Sequence, residues 1–201
     1  MATSPFIFIT GGVRSGKSTF AEQLAISFAK EKGGHLHYIA TSETVDDEMK
    51  ERIKRHQEER KRSSLLWRTW EQPVQIEKIA PFFGKGDILL LDCLTTLVNN
   101  EMYLFDREIE EIFHRVKKGI FSFIEQGSTL IVVSNEVGFE PIDHHHELVL
   151  NYCSLIGKLH RAFVEKANRA YLVESGIPIL MKNHEIMKGE ETFPITSLDQ
   201  K

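Results

Sequence analysis

The stretch Gly11-Gly12-Val13-Arg14-Ser15-Gly16-Lys17-Ser18 fits the pattern Gly-x4-Gly-Lys-Ser/Thr and directly follows a short apolar run, Phe6-Ile7-Phe8-Ile9. A pattern of this kind between an apolar strand and a helix leaves little choice of local structure. Glycines allow backbone N–H groups to turn inward around an anion, and the following helix adds its N-terminal donors and its dipole. Lys17 then reaches the β and γ phosphates as the catalytic cation, and the Ser18 hydroxyl takes a position on Mg²⁺. The bland alternative is a Gly-rich turn with an incidental Lys-Ser. The strand-loop-helix order argues against it. All eight residues from Gly11 to Ser18 are therefore expected to bind a nucleoside triphosphate.

Apolar runs recur at Leu36-His37-Tyr38-Ile39, Ile88-Leu89-Leu90-Leu91, Leu130-Ile131-Val132-Val133 and Tyr171-Leu172-Val173, with a further one over 177–181. Continuous rather than alternating hydrophobicity predicts strands buried on both faces, the mark of a parallel sheet covered by helices. Helices are expected over about 17–31, 44–62, 73–82, 106–126 and 145–168. This order implies one α/β domain with a mostly parallel sheet. At 201 residues the whole chain, 1–201, reads as a single nucleotide-binding domain that ends in a polar tail over 183–201.

The charge balance, 25 Lys+Arg against 29 Asp+Glu, lacks the basic footprint of a dedicated nucleic-acid binder. No apolar run is long enough for a membrane span, and the first residues do not resemble a secretory leader, so a cytoplasmic protein is expected. Cys93 and Cys153 form neither a disulfide framework nor a Cys-x-x-Cys site and read as reduced structural thiols.

Ile88-Leu89-Leu90-Leu91-Asp92 supplies a second expected part, a buried strand that delivers a carboxylate at its C-terminal end beside the phosphate loop. Asp92 is the candidate for the Mg²⁺ shell, directly or through water; a strand-end turn residue is the alternative. The chain contains no Asn-Lys-x-Asp motif for reading guanine, which weakens a GTP-driven switch. In the helix expected from Thr44, the residues Val45, Met49, Ile53, His56 and Arg60 fall on one face. His56 is then either a structural imidazole that closes an apolar stripe, or a base or nucleophile facing a phosphate. Periodicity leaves both open. In the second case Arg55 and Arg60 would favour the neutral ring and hold phosphate oxygens.

Seven blocks taken in order resemble the CobU/CobP family of bifunctional adenosylcobinamide kinases and adenosylcobinamide-phosphate guanylyltransferases. They are Gly11 to Ser18, Tyr38-Ile39-Ala40-Thr41-Ser42, Asp46-Asp47-Glu48-Met49, Arg52-Ile53 with His56, Trp67-Arg68-Thr69-Trp70-Glu71, Leu91-Asp92-Cys93-Leu94-Thr95-Thr96 and Ser134-Asn135-Glu136-Val137-Gly138. The resemblance implies a three-layer P-loop NTPase fold of RecA-like type. It also implies phosphorylation of a corrinoid alcohol with ATP or GTP, then transfer of GMP from GTP through a guanylylated histidine, matched here by His56. Nucleotide contacts implied beyond the loop are Ala40, Thr41, Ser42, Gln57, Glu58, Glu59, Arg60, Glu71 and Asp92, with Ser18 and Asp92 on Mg²⁺. The implied assembly is a homotrimer. A P-loop kinase of another small alcohol, or a nucleotide-dependent regulatory module, are the competing functions.

After Gly138 the family pattern of arginines, an Arg-Asp pair, Gly and Asn is followed only at Gly157; Ser154 stands for the aspartate and His160 for the asparagine. These departures bear on substrate contacts, or on one of the two activities. His144, His145 and His146 point about 100° apart on a helix and are read as a polar helix start. His35 and His37 share one side of a strand without a third ligand. No structural metal is assigned.

Overall fold

The computed structural model describes residues 4–42, 65–105, 107–137 and 147–184. The elements are β1 (Phe6–Thr10), α1 (Lys17–Lys32), β2 (His35–Ala40), β3 (Trp67–Glu71), β4 (Asp87–Asp92), α2 (Leu94–Leu104), α3 (Ile109–Glu125), β5 (Thr129–Val133), α4 (Glu147–Lys166), β6 (Arg169–Glu174) and β7 (Ile177–Asn183). The strands form one sheet in the order β3-β2-β4-β5-β1-β6-β7, parallel throughout except for β7, which runs antiparallel to β6.

Alternate residues of the central strands feed two cores. Phe6, Phe8, Leu89, Leu91, Leu130 and Val132 face α2, α3 and α4. Ile7, Ile9, Ile88, Leu90, Ile131 and Val133 face α1, whose Ala21, Ala25 and Ala29 bring its backbone close to the sheet. Helices on both faces make the expected three layers, and the double burial accounts for the unbroken apolar runs. Among the described residues, no helix is long and apolar enough to cross a membrane.

Three local expectations need correction. The segment 73–82 forms two 3₁₀ turns, Ile76–Lys78 and Ala80–Phe82, rather than an α-helix. Pro81 removes a donor there and would crowd the carbonyl one turn back, and Gln75 sits at φ 52° with its N–H donated to the buried Glu101 carboxylate at 2.6 Å. Arg107 donates to the other Glu101 oxygen at 2.8 Å, so the charge buried under this segment is paired. Residues 67–71 and 94–104, for which no strand or helix was expected, are β3 and α2. Asn183, expected to open the tail, is the last residue of β7. The helix expected over 44–62, His144 to His146 and the tail from residue 185 lie outside the described residues.

The histidines are used as packing and hydrogen-bonding groups. Trp70 Nε1 donates to His37 Nδ1 at 3.1 Å, so the proton of the neutral ring sits on Nε2, 3.3 Å from Asp87 Oδ1. Burial holds the His37 pKa below its usual value, against the pull of Asp87. His35 Nδ1 approaches the same carboxylate oxygen at 3.4 Å. His160 packs edge-on against Phe8 and shares a 2.7 Å hydrogen bond with the buried Ser134. It therefore ties α4 to the end of β5 from inside the core.

Burial pushes the His160 pKa down from 6.5 to about 4. The unfolded chain binds the proton more readily between those values, so this contribution is intact above pH 6.5 and is lost as pH falls toward 4. Between pH 7 and pH 5 the loss should be about 2 kcal/mol. His160→Asn keeps a hydrogen-bonding side chain and removes the titration, so urea unfolding should show a shallower pH dependence in the variant. Parallel pH profiles for the two proteins would refute this origin.

Candidate active site

β1 ends at Thr10, and the chain turns at once into the loop. A Cβ on Gly11 would lie 2.3 Å from the Val173 carbonyl oxygen and 2.8 Å from Ser15 Oγ, so no other residue fits without moving backbone. Arg14 at φ 61° and Gly16 at φ 91° take left-handed conformations, which redirect successive amides into the concavity. Ser15 N–H donates to Gly12 O at 3.2 Å, and helix α1 begins with Phe20 N–H donating to Gly16 O at 3.0 Å. Lys17 is only 3% exposed, and its ammonium donates to Gly12 O at 2.8 Å, which holds it over the loop rather than out in solvent. Ser18 is also buried. The hydroxyls of Thr10 and Ser15 are buried without a hydrogen-bond partner among the described residues.

The loop is braced from both neighbouring strands. On one side Ser134 N–H donates to Ile9 O at 2.9 Å and Glu136 N–H to Gly11 O at 3.1 Å. On the other, Gly176 N–H, in the β6–β7 turn, donates to Ser15 O at 2.9 Å. Glu136 is thereby set beside the loop. Burial, then the nearby Glu174 carboxylate, raises its pKa above the usual range, while Lys17 pulls it down. The Ser134-to-Gly138 block contains this carboxylate, but nothing in the sequence reading gave it a role.

Asp92 ends β4, with β5 lying between it and β1. Tyr38 donates its hydroxyl to Asp92 Oδ2 at 3.1 Å. Ala40 is in register with both Asp92 and Glu71, so these three residues and the phosphate loop share the C-terminal edge of the sheet. Glu71 closes edge strand β3, four strands from β1 and so roughly 19 Å along that edge. The Thr41 hydroxyl donates to Cys93 O and accepts from Cys93 N–H, both at 2.8 Å, and its carbonyl accepts from Asn100 Nδ2 at 2.8 Å. Thr41 thus clasps β2 to β4. Asn135 Nδ2 donates to Thr95 Oγ1 at 2.9 Å, linking the end of β5 to the start of α2. His56, Gln57, Glu58, Glu59 and Arg60 lie outside the described residues.

A phosphate-binding loop at one end of this edge, with carboxylates along it, is an arrangement for handling nucleotides. The family model for cobinamide kinase / cobinamide phosphate guanyltransferase matches residues 7–181. The chain belongs to the CobU family. It is 33% identical over 180 residues to the bifunctional adenosylcobalamin biosynthesis protein CobP of Pseudomonas aeruginosa, covering 89% of this chain and 98% of that protein. To the corresponding CobU of Escherichia coli it is 30% identical over 188 residues, with 88% and 99% covered.

Solved structures agree with the CobU-family chain in fold alone. An ATPase domain of known structure matches with a TM-score of 0.57 at 11% identity, covering 92% of this chain and 79% of that one. The KaiC-like protein PH0186 of Pyrococcus horikoshii matches with 0.50 at 17% identity, covering 90% and 80%. These likenesses bear out the RecA-like three-layer fold. Of the family positions that differ here, Ser154 is exposed on α4, whereas His160 is half-buried and hydrogen-bonds Ser134 at the end of β5.

Gly11→Ala should be a severe change. Its methyl cannot coexist with the Val173 carbonyl, so the brace between β1 and β6 must open and the amide cradle with it. Isothermal titration should show ATP or GTP affinity reduced by at least tenfold, with a lower Tm. Unchanged affinity would refute the close approach.

Proposed function

We propose that the chain phosphorylates the hydroxyl of adenosylcobinamide with ATP or GTP and then transfers GMP from GTP to the new phosphate, giving adenosylcobinamide-GDP. The observation that carries this reading is the braced phosphate loop with buried Lys17, in a chain that its family model covers from residue 7 to 181. In the first reaction the loop amides from Gly11 to Ser18 hold the phosphates, and Lys17 neutralises charge developing on the transferred group. The substrate oxygen forms a bond to the γ-phosphorus as the bond to the β–γ bridging oxygen breaks, leaving a nucleoside diphosphate. Ser18 and Asp92 offer hard oxygen donors suited to Mg²⁺, at the start of α1 and the end of β4. Bound there, Mg²⁺ would supply further charge neutralisation at the phosphates.

In the second reaction His56 is the nucleophile. A ring nitrogen bonds to the α-phosphorus of GTP and pyrophosphate leaves. The corrinoid phosphate oxygen then displaces the histidine, breaking the P–N bond and regenerating the neutral ring. Support comes from the spacing that would set His56 and Arg60 on one face of a helix expected from the sequence, and from the resemblance to CobU/CobP sequences. Ala40, Thr41, Ser42, Gln57, Glu58, Glu59, Arg60 and Glu71 complete the nucleotide contacts in this reading. Thr41 would contribute through its backbone position, since its hydroxyl is engaged with Cys93. A homotrimer working in the cytoplasm belongs to the same proposal, and light scattering of the purified protein tests the trimer.

Incubation with GTP labelled at the α-phosphate should leave acid-labile label on the protein, absent in His56→Ala. No adduct in folded, GTP-binding protein would remove the guanylyltransferase half. Lys17→Ala should abolish ATP-dependent phosphorylation of adenosylcobinamide. Turnover without the covalent adduct would leave a P-loop kinase of a small alcohol.

A further inference from the structure

We propose that Glu136, tied by its main chain to the first glycine of the phosphate loop, is the proton acceptor for the substrate hydroxyl in the phosphoryl-transfer step. This rests on the kinase reading above and adds a residue to it. Glu136 follows β5, the strand that lies between Asp92 on β4 and the loop after β1. Its position is set by main chain rather than by a swinging side chain: its own N–H donates to Gly11 O at 3.1 Å, and Ser134 N–H donates to Ile9 O at 2.9 Å just before it. Its α-carbon is therefore fixed to the first glycine of the phosphate loop.

Among the described residues, the charged groups that act on the Glu136 carboxylate come from two elements. Lys17 at the start of α1 attracts it, and Glu174 at the end of β6 repels it. Lys17 is the cation expected on the γ-phosphate, and the main-chain bond of Glu136 to Gly11 O at 3.1 Å puts this residue at the same loop, where the transferred group and its acceptor would meet. The other carboxylates along this edge are less well placed. Asp92 accepts from Tyr38 and lies one strand further out, and Glu71 is on the edge strand β3. Partial burial and Glu174 make Glu136 more basic than an ordinary glutamate, whereas Lys17 opposes that shift.

The step balances without a further reagent. As the substrate oxygen bonds to the γ-phosphorus, its hydrogen passes to a Glu136 carboxylate oxygen. The electron pair of the breaking β–γ bridge bond leaves with the nucleoside diphosphate, and the protonated Glu136 returns its proton to solvent. The β6–β7 turn keeps Glu174 in place, because Gly176 N–H is donated to Ser15 O of the loop itself.

Steady-state phosphorylation of adenosylcobinamide, measured with ATP across pH 5 to 9, tests the assignment. Glu136→Gln should lower kcat by roughly 100-fold or more, with KM for ATP within about threefold of wild type. The acid limb of the wild-type profile should disappear in that variant. Glu136→Asp should retain the limb with an intermediate kcat. Glu174→Gln removes the repelling charge, so the acid limb should move to lower pH. Three results overturn the inference alone: Glu136→Gln within threefold of wild-type kcat, loss of ATP binding in both Glu136 variants, or an acid limb that survives without the carboxylate. Absence of turnover in folded, ATP-binding wild-type protein overturns the kinase reading, and this inference with it.

Discussion

β1 is held along both edges, by β5 on one side and β6 on the other, and is buried on both faces. A strand fixed in this way cannot adjust its end. The loop that follows inherits that rigidity, because each brace on it comes from a residue just beyond one of the two neighbouring strands or from their last turns. An anion site made of backbone amides works only if the amides keep their directions when the anion leaves, since otherwise binding must include the cost of reordering them. Here the ordering is done by the sheet. The price of that arrangement is a position, Gly11, at which the chain tolerates no side chain.

Electrostatics are concentrated rather than general. The chain carries a formal charge of −4, yet the loop buries an ammonium group and sets the Glu136 carboxylate within its field. In a partly desolvated corner such charges interact far more strongly than on an open surface. This is why the average composition says little about the ligand. Two further ion pairs, Glu101 with Arg107 and Glu77 with Arg115, each at 2.8 Å, lie at the 3₁₀ segment and α2–α3 and brace the packing away from the loop.

How much could be read from the residues followed from whether their physics is local. The buried central strands β1, β4 and β5 were legible because burial on both faces leaves unbroken apolar runs. Edge strand β3 was not, since Arg68 and Thr69 separate its two tryptophans and its pairing with β2 supplies what its pattern lacks. Helix α2 opens on Leu94-Thr95-Thr96, and its Asn99-Asn100 pair favours caps and turns over helix interiors; packing of Leu94, Leu97 and Val98 against the core overrides those preferences. At the site, Lys17, Ser18 and Asp92 were legible because a motif ties each to its neighbours. Glu136 and the β6–β7 turn were not, because only the strand order brings them to the loop. The bond of His160 to Ser134 was illegible for the same reason, since it joins α4 to the end of β5 only once the fold is formed.

The turn at Ser175-Gly176 illustrates a wider consequence. Two exposed residues joining an edge strand to its antiparallel neighbour are ordinarily where a protein accepts insertions, tags or new termini after circular permutation. In this chain the same turn is stitched to Ser15, and the strand leading into it shelters Gly11. The outermost hairpin is therefore part of the frame of the nucleotide loop, and lengthening or cutting it would alter chemistry that its surface position gives no reason to suspect.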